Sequence, residues 1–437
     1  MAEIRPFRGV RYNEQLVSDL SAVICPPYDI ITPQTAQELY QRSEYNFARL
    51  EYGRLLPPGT SPEEKHTHSA TTLDEWLGRG VLKIDEVPAL YLHDHSFSYR
   101  GKEYRRRGIL ASVRLEEWDK MVIRPHEGTL ARAKDDRLSL LWTLEANTSP
   151  ILTLFDDGGG RVSSLLTLEA QKQPVISLVS DTGDSHSVWA ITEPEVTKQI
   201  GASLAHQPLY IADGHHRYES ALTYQRERRA CSGAASGDEE FNFVMMTLVA
   251  LSDPGLIILS PHRLVRGLSP AILSELKAKL ASFFELEELP LSDPDVWQQV
   301  DALIDSQETD QTRFILVGLS PEHLVVLRLR DPGAVRQMIP YFHGELYSKL
   351  NVSILDHVIL EEMLGLGSGQ ENSLTFSYDR QEAVRKIVDR EYQLAFLLSP
   401  VKAELVKAIA DGGERMPRKS TYFYPKPPAG LVFRRLD

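Results

Sequence analysis

The stretch ALYLHDHSFSYRGKEYRRRGILASVRL, residues 89–115, decides the fold class. Two runs rich in strand-forming residues flank the turn-like tripeptide at 100–102, a pattern that predicts a long antiparallel hairpin. Further hairpins are predicted over residues 174–192 and 313–330, where turn residues again separate two β-rich runs. Strand pairs joined in this way indicate antiparallel sheet.

Helical periodicity appears between these strands without the strict strand–helix alternation of a parallel sheet. We therefore predict an α+β fold of mixed, largely antiparallel sheets with flanking helices and two or three packed lobes. The lobes are predicted at 1–157 and 158–340, followed by a segment at 341–437 that packs back onto the functional site of the central lobe. Helices are predicted at 33–42, 63–78, 216–231, 270–284 and 352–364, and loops at 57–64, 156–160 and 232–239.

The overall charge and the cysteine content exclude several classes of function. The 437-residue chain has a formal net charge of -13, which disfavours broad binding to nucleic acid or anionic membrane. Cys25 and Cys231 lie far apart and form no CxxC pair, so we expect neither a disulfide framework nor a zinc–thiolate site. The first ten residues lack an apolar core, and the apolar stretch at 243–251 is too short to span a membrane. We expect a cytoplasmic protein that acts on small molecules.

The segment PLYIADGHHRYE, residues 208–219, carries the richest chemistry of the sequence. It predicts an apolar strand that enters a glycine turn and then a helix. A helix N-terminus offers unpaired N–H groups to an anion, and Gly214 lets the backbone approach it closely. Arg217 can bind two phosphate oxygens with its planar guanidinium. These features together suit a phosphate group.

Three further side chains of this segment can take part in phosphoryl transfer. Asp213 can serve as a general base or as a ligand of Mg²⁺, the cofactor that we expect. His215 and His216 can donate hydrogen bonds to the moving phosphoryl group or shuttle a proton. A polar helix cap is the structural alternative. A zinc site is disfavoured, because neighbouring histidines point in different directions and lack the i, i+4 spacing.

Two earlier segments add candidate residues. In the run 124–129, Glu127 is a candidate base and His126 a candidate acid or phosphate partner, with a solvated loop as the alternative. In the rigid turn at 26–29, Asp29 either caps the helix that follows Thr32 or lines the site.

The C-terminal run 413–421 superficially matches a phosphate-binding P-loop. The match fails because Arg418 replaces the second glycine and Pro417 removes a backbone N–H group. A tail strand packed on the body of the protein is the structural alternative. Candidate anion contacts remain at Lys419, Ser420, Thr421 and Lys426.

These motifs make the chain similar to the large prokaryotic family catalogued as domain of unknown function 1015. The resemblance extends over nearly the whole chain and adds Arg137, His262 and Arg263 as candidates for binding substrate or phosphate. The motifs that carry it stand at residues 25–29, 125–127 with 136–137, His186 with Trp189, 212–217, 261–263 and 416–426.

The DGHHR segment also resembles the nucleotide-handling motif of the ParB and sulfiredoxin superfamily, which includes free serine kinases. The resemblance implies a fold element of that type, in which residues 213–217 hold donor phosphates and magnesium. An earlier carboxylate would activate the serine hydroxyl, with Glu127 as first candidate and Asp29 as second. We expect a phosphotransferase that acts on a small amino acid, first of all L-serine, with ATP, ADP or pyrophosphate as donor. The alternatives are a phosphoserine phosphatase and a non-catalytic regulator that binds nucleotide or, against the net charge, nucleic acid.

Overall fold

The computed structural model describes residues 2–53, 61–232, 236–305, 312–367 and 371–436. The chain forms two compact units. Unit 1 comprises residues 1–125, 129–257 and 425–437, and unit 2 comprises residues 126–128 and 258–424. The chain therefore leaves unit 1 after residue 257 and returns to it at residue 425. The three segments 1–157, 158–340 and 341–437 stay a prediction.

The described residues contain strands in both units. In chain order they are β1 (Ile4–Arg5), β2 (Gly9–Tyr12), β3 (Leu82–Ile84), β4 (Leu90–Tyr99), β5 (Lys102–Arg114), β6 (Ile123–Arg124), β7 (Ala146–Asn147), β8 (Ile151–Phe155), β9 (Ile176–Val179), β10 (Ser185–Ile191), β11 (Leu209–Asp213), β12 (Phe243–Ala250), β13 (Ile257–Leu259), β14 (His262–Val265), β15 (Phe284–Pro290), β16 (Arg313–Val317), β17 (His323–Leu329), β18 (Leu374–Ser377), β19 (Leu394–Leu397), β20 (Tyr422–Tyr424) and β21 (Phe433–Arg435).

Helices lie between these strands. They are α1 (Pro33–Arg42), α2 (Ala48–Glu51), α3 (Pro62–Gly78), α4 (Ala131–Leu144), α5 (Arg161–Glu169), α6 (Pro194–Leu204), α7 (His215–Ser232), α8 (Pro270–Phe283), α9 (Val296–Asp305), α10 (Pro332–Arg336), α11 (Glu345–Ser348), α12 (Asn351–Ser353), α13 (Arg380–Val388) and α14 (Ala403–Asp411). A π-helix, Ile354–Met363, continues α12, and four short 3₁₀ turns stand at Tyr28–Ile30, Trp118–Lys120, Glu240–Asn242 and Glu371–Ser373.

The three predicted hairpins are confirmed as the antiparallel pairs β4–β5, β9–β10 and β16–β17. In the first, Arg100 and Gly101 both adopt positive φ angles, as a two-residue turn between twisted strands requires. The predicted α+β class is therefore confirmed.

The predicted helices form close to their expected bounds, although the last is mostly π-helical. The predicted loop at 156–160 lies between β8 and α5. The other two loop predictions were partly wrong, because residues 62–64 and 232 are helical. Residues 57–60 and 233–235 of those loops lie outside the described residues.

Unit 1 is built on a nine-stranded sheet in the order β6-β11-β8-β12-β5-β4-β10-β9, with β1 added beside β5. Within it, β11 is parallel to β6 and β12 to β8, whereas the other pairs are antiparallel. All eight residues of β12 are buried, because both faces of the sheet are covered. Helices α4 to α7 pack on one face, and α1 to α3 share the other core with a small sheet in the order β3-β2-β21-β7.

Unit 2 contains a six-stranded antiparallel sheet in the order β15-β17-β16-β19-β14-β18. Alternate side chains of β16 enter opposite cores, as the pleat of a strand requires. Phe314 and Leu316 pack with α8, α14 and the π-helix, whereas Ile315 and Val317 pack with α9 and α13. Both units therefore bury the sheet between two layers. Within the described residues, no helix combines the length and the apolar character needed to cross a membrane.

The buried strand β12 gives a direct test of this packing. We expect Leu248→Ala, at a fully buried position, to lower the free energy of unfolding by about 2–5 kcal/mol, because it leaves a cavity in a close-packed core. Leu168→Ala, at a position where 59% of the residue is exposed, is the matched control and should change it by less than about 1 kcal/mol. Urea unfolding monitored by tryptophan fluorescence measures both. Equal midpoints for the two variants would contradict the placement of β12.

Candidate active site

The site in unit 1 is formed where β11 ends and α7 begins. Gly214 joins the two elements with a φ of +99°, which favours glycine. A Cβ atom at this position would lie 3.0 Å from Nε of Arg217, so the absence of a side chain lets the guanidinium pack over the turn. The pairing of β11 with β8 shifts register between Ile211 and Asp213, a bulge at the end of the strand. The predicted strand–turn–helix is therefore present, with its carboxylate and its guanidinium side by side.

Asp213 lies between two cationic side chains. Its Oδ2 accepts a hydrogen bond from Arg217 at 2.7 Å, and its Oδ1 lies 2.9 Å from Nζ of Lys426. Burial alone would raise the pKa of Asp213, but Lys426, Arg217 and the nearby His215 lower it well below its usual value. Asp213 is therefore an ionised carboxylate at neutral pH.

Lys426 joins Asp213 to a third segment of the chain, because its ammonium also pairs with the carboxylate of Asp29. Only 8% of the lysine side chain is exposed. Burial would lower the pKa of Lys426, but the two carboxylates raise it well above its usual value. Thr32, and not Asp29, caps α1, since the Thr32 hydroxyl accepts a hydrogen bond from the backbone N–H of Thr35. Asp29 therefore pairs with Lys426 and does not cap α1, and its predicted role in lining a functional site stays a prediction.

The backbone before Lys426 is held by a buried arginine. Arg106 of β5 donates a hydrogen bond of 2.6 Å from Nη2 to the carbonyl oxygen of Pro425. The same nitrogen lies 3.4 Å from Nδ1 of His95. Burial lowers the pKa of Arg106 to about 10, although three acidic side chains oppose this effect. It remains positively charged at neutral pH. Arg106 could not be predicted from the sequence, because one arginine in the run 105–107 has no local signal that sets it apart.

Arg137 lies at the centre of a neighbouring buried network. It is ion-paired with Asp136, donates to the backbone carbonyl of Glu51 at 3.2 Å and stands 3.8 Å above the ring of Tyr28. Asp136 also accepts contacts of 3.2 Å from Lys65 and His66. The negative charges of Asp136 and Glu51 raise the pKa of Arg137, although burial alone would lower it. The structure thus gives Arg137 several partners within the protein, and its predicted role in phosphate binding stays a prediction.

Ser149 connects this network to Arg217. Its hydroxyl donates to the fully buried carboxylate of Glu51 at 2.9 Å and accepts from Arg217 at 3.2 Å. Both arginines line a small pocket that opens to solvent. In the described part of the chain, three buried atoms of this network have no hydrogen-bond partner: Nε of Arg217, Oε2 of Glu51 and Nδ1 of His66. Sequence reasoning missed Glu51 and Ser149, which stand in no recognisable motif.

The two histidines of the DGHHR segment differ in their surroundings. His215 is buried at the first residue of α7 and contributes to the low pKa of Asp213. His216 accepts a hydrogen bond of 2.9 Å from the backbone N–H of Leu130 at its Nε2 atom, so this nitrogen carries no proton. Their predicted roles in proton transfer stay predictions.

Other predicted residues lie in unit 2 and form a cluster there. His126 Nε2 lies 3.0 Å from the hydroxyl oxygen of Thr421, and Glu127 accepts a hydrogen bond of 2.8 Å from the backbone N–H of Lys419. Ser420 is fully buried, and its hydroxyl donates to the carbonyl of Pro417. Glu127 and Met416 form an isolated parallel bridge, so the C-terminal run contacts the segment 126–128 without forming a strand there.

His262 and Arg263 are buried in the six-stranded sheet of unit 2. His262 accepts a hydrogen bond from the backbone N–H of Leu398 at 3.2 Å. Arg263 is fully buried and donates two hydrogen bonds of 3.1 Å to Asp356 of the π-helix. Since a buried guanidinium needs such a partner, the pair accounts for Arg263 in structural terms. A phosphate contact at either residue stays a prediction.

A family model for proteins of unknown function, DUF1015, matches residues 4–353. No curated protein matches the chain. A conserved hypothetical protein from Pyrococcus furiosus is similar in structure at 14% identity with a TM-score of 0.34, over 74% of this chain and 93% of that chain. A mutant of a free serine kinase in complex with ADP is similar at 14% identity with a TM-score of 0.34, over 72% of this chain and 86% of that chain. C-terminally truncated SbnI from Staphylococcus aureus is similar at 12% identity with a TM-score of 0.35, over 73% of this chain and 84% of that chain.

The family match covers most of the chain, including Asp29, Glu127, Asp213 and Arg217, and ends before the residues at 416–426. It confirms the resemblance that the motifs at 25–29, 125–127 and 212–217 carry. The chain belongs to the DUF1015 family of proteins of unknown function.

Proposed function

We propose that the protein transfers a phosphoryl group between a donor and the hydroxyl of a small amino acid. The observation that carries this proposal is the arrangement at the start of α7. Arg217 packs over Gly214 and keeps a buried N–H donor without a protein partner, beside a helix N-terminus that attracts anions. A phosphate oxygen is a natural acceptor for this donor.

The charges around this donor support a role in transfer as well as in binding. Asp213 holds Arg217 in place, so the position of this guanidinium is set before any ligand arrives. Preorganised cations stabilise the charge that develops on a phosphoryl group in the transition state, at no cost of reorganisation. Arg217 would contact phosphate oxygens, and Asp213 would hold it in place.

Magnesium is the proposed cofactor. Among the described side chains, no group of three or more His, Cys, Asp or Glu residues could hold a metal ion. Mg²⁺ in phosphoryl-transfer sites is typically bound by one or two carboxylates together with substrate phosphates and water, and Asp213 with Asp29 matches that donor set. The ion would neutralise charge on the donor phosphates.

The proposed identities of the acceptor and the base come from the resemblance of the DGHHR segment to the ParB and sulfiredoxin superfamily. L-serine is the proposed acceptor, with ATP, ADP or pyrophosphate as donor. Glu127 is the proposed base. Asp29 is less suited, because its carboxylate is already bound to the ammonium of Lys426.

The first prediction of the proposed function concerns the residues that would bind the phosphate. We expect Arg217→Ala and Asp213→Asn each to lower turnover at least about a hundredfold, because each removes preorganised charge from the site. Arg226→Ala is the matched control on the same helix, since Arg226 is exposed and pairs only with Glu117 among the ion pairs described. Incubation with L-serine and a panel of donors, followed by mass spectrometry of phosphoserine, measures turnover. If both site variants are fully active and melt at the parental temperature, the segment is only a structural cap.

The second prediction concerns the metal ion. Phosphoserine formation should fall to background in excess chelator and return when Mg²⁺ is added, because cationic side chains already paired with carboxylates do not neutralise a polyphosphate. Metal content is checked by elemental analysis. Undiminished turnover at negligible metal content would contradict the prediction.

The third prediction separates a kinase from a phosphatase and from a regulator. Phosphoserine supplied alone should persist, whereas phosphoserine with ADP, AMP or orthophosphate should yield serine and a recharged donor, because a kinase site excludes water. Rapid release of orthophosphate without a co-substrate would identify a phosphatase. Nucleotide binding without conversion would identify a regulator.

The same assay tests Glu127. We expect Glu127→Gln to lower turnover about a hundredfold or more, because both a serine hydroxyl and an attacking water need a base. Glu275→Gln, on the exposed surface of α8, is the control. Unchanged turnover of Glu127→Gln would exclude Glu127 as the base.

A further inference from the structure

Two carboxylates of unit 1 converge on a single ammonium group. Nζ of Lys426 lies 2.9 Å from Asp213 and also pairs with Asp29, while 28% and 33% of the two aspartate side chains are exposed. Carboxylate oxygens that meet around one small cation are also the ligands that Mg²⁺ and Mn²⁺ prefer. The lysine thus occupies carboxylates that a divalent cation could use.

The lysine side chain can move without its backbone. Pro425 precedes it, Pro427 and Pro428 follow it, and Arg106 holds the carbonyl of Pro425. These residues restrict the main chain. The four-carbon side chain of a lysine, in contrast, is flexible and carries a compact charge that can exchange partners. The ammonium can therefore leave the carboxylates while its Cα atom stays in place.

The charges of the site favour such an exchange. Asp29 and Asp213 are balanced by Lys426 and Arg217, so the four side chains sum to zero formal charge. A neutral cluster attracts a polyphosphate poorly. If a divalent cation takes over the two carboxylates, the cluster gains two positive charges and the ammonium becomes available to a phosphate oxygen.

We propose that Lys426 and a divalent cation compete for the carboxylates of Asp29 and Asp213, and that Lys426 turns to the donor phosphate when the cation binds. The competition is a property of the protein without substrate. Only the turn toward the donor rests on the proposed function.

Binding of Mn²⁺ alone tests the competition. Lys426→Met removes the ammonium and keeps the length of the side chain. We expect it to lower the dissociation constant for Mn²⁺ at least about tenfold, because one charged hydrogen-bonding competitor is lost. Electron paramagnetic resonance of the free ion measures this constant. Lys426→Gln should act in the same direction, so a folding defect in one variant does not decide the result. Lys279→Met, on the exposed surface of α8, is the control and should leave the constant unchanged.

The carboxylates are tested in the same assay. The gain in affinity of Lys426→Met should disappear when Asp29→Asn is added, because one of the two ligands is then neutral. Parental melting temperatures confirm that the variants are folded. Equal Mn²⁺ affinity of parent and both Lys426 variants, or a gain that survives Asp29→Asn, would overturn the proposal. Because no donor or acceptor is present, this outcome is independent of whether phosphoserine is ever formed.

Discussion

The ion pairs of Lys426 with Asp29 and Asp213 are the interaction on which the site in unit 1 depends. Three buried or half-buried charges cannot be removed from water unless they satisfy one another. The other features of the site follow from this requirement. Arg106 fixes the backbone that delivers the lysine, and Gly214 leaves room for Arg217 to reach the second oxygen of Asp213.

The charged network extends from Arg217 of the site to Ser149, Glu51 and Arg137. These buried side chains connect α2 and α4 with the loop between β7 and β8. A polar network in such surroundings restricts each member to one arrangement, because a displaced member would leave its partner buried without a hydrogen bond. The orientation of Arg217 is therefore restricted by Ser149 and its partner Glu51 as well as by Asp213.

Local patterns in the sequence predicted the three hairpins, five of the helices and the strand–turn–helix of the DGHHR segment, because each depends on neighbours within a few residues. Asp213 and Arg217 were found for the same reason. Glu51, Ser149 and Arg106 were not, since their partners lie tens to hundreds of positions away and their own surroundings in sequence are ordinary. The discontinuity of unit 1 was not predicted either, because segments on both sides of unit 2 contribute to it.

The discontinuity of unit 1 has a consequence for the order in which the protein folds. Strand β21 lies between β2 and β7 in the four-stranded sheet, so this sheet cannot close before residues 433–435 are available. Closing it joins segments separated by more than four hundred positions, with all of unit 2 inside the loop. Such non-local pairing is slow, and a folded insertion shortens the effective loop. We therefore expect unit 2 to fold early and the sheet that contains β21 to form last, so that the chain exposes unpaired strand edges until its final segment arrives.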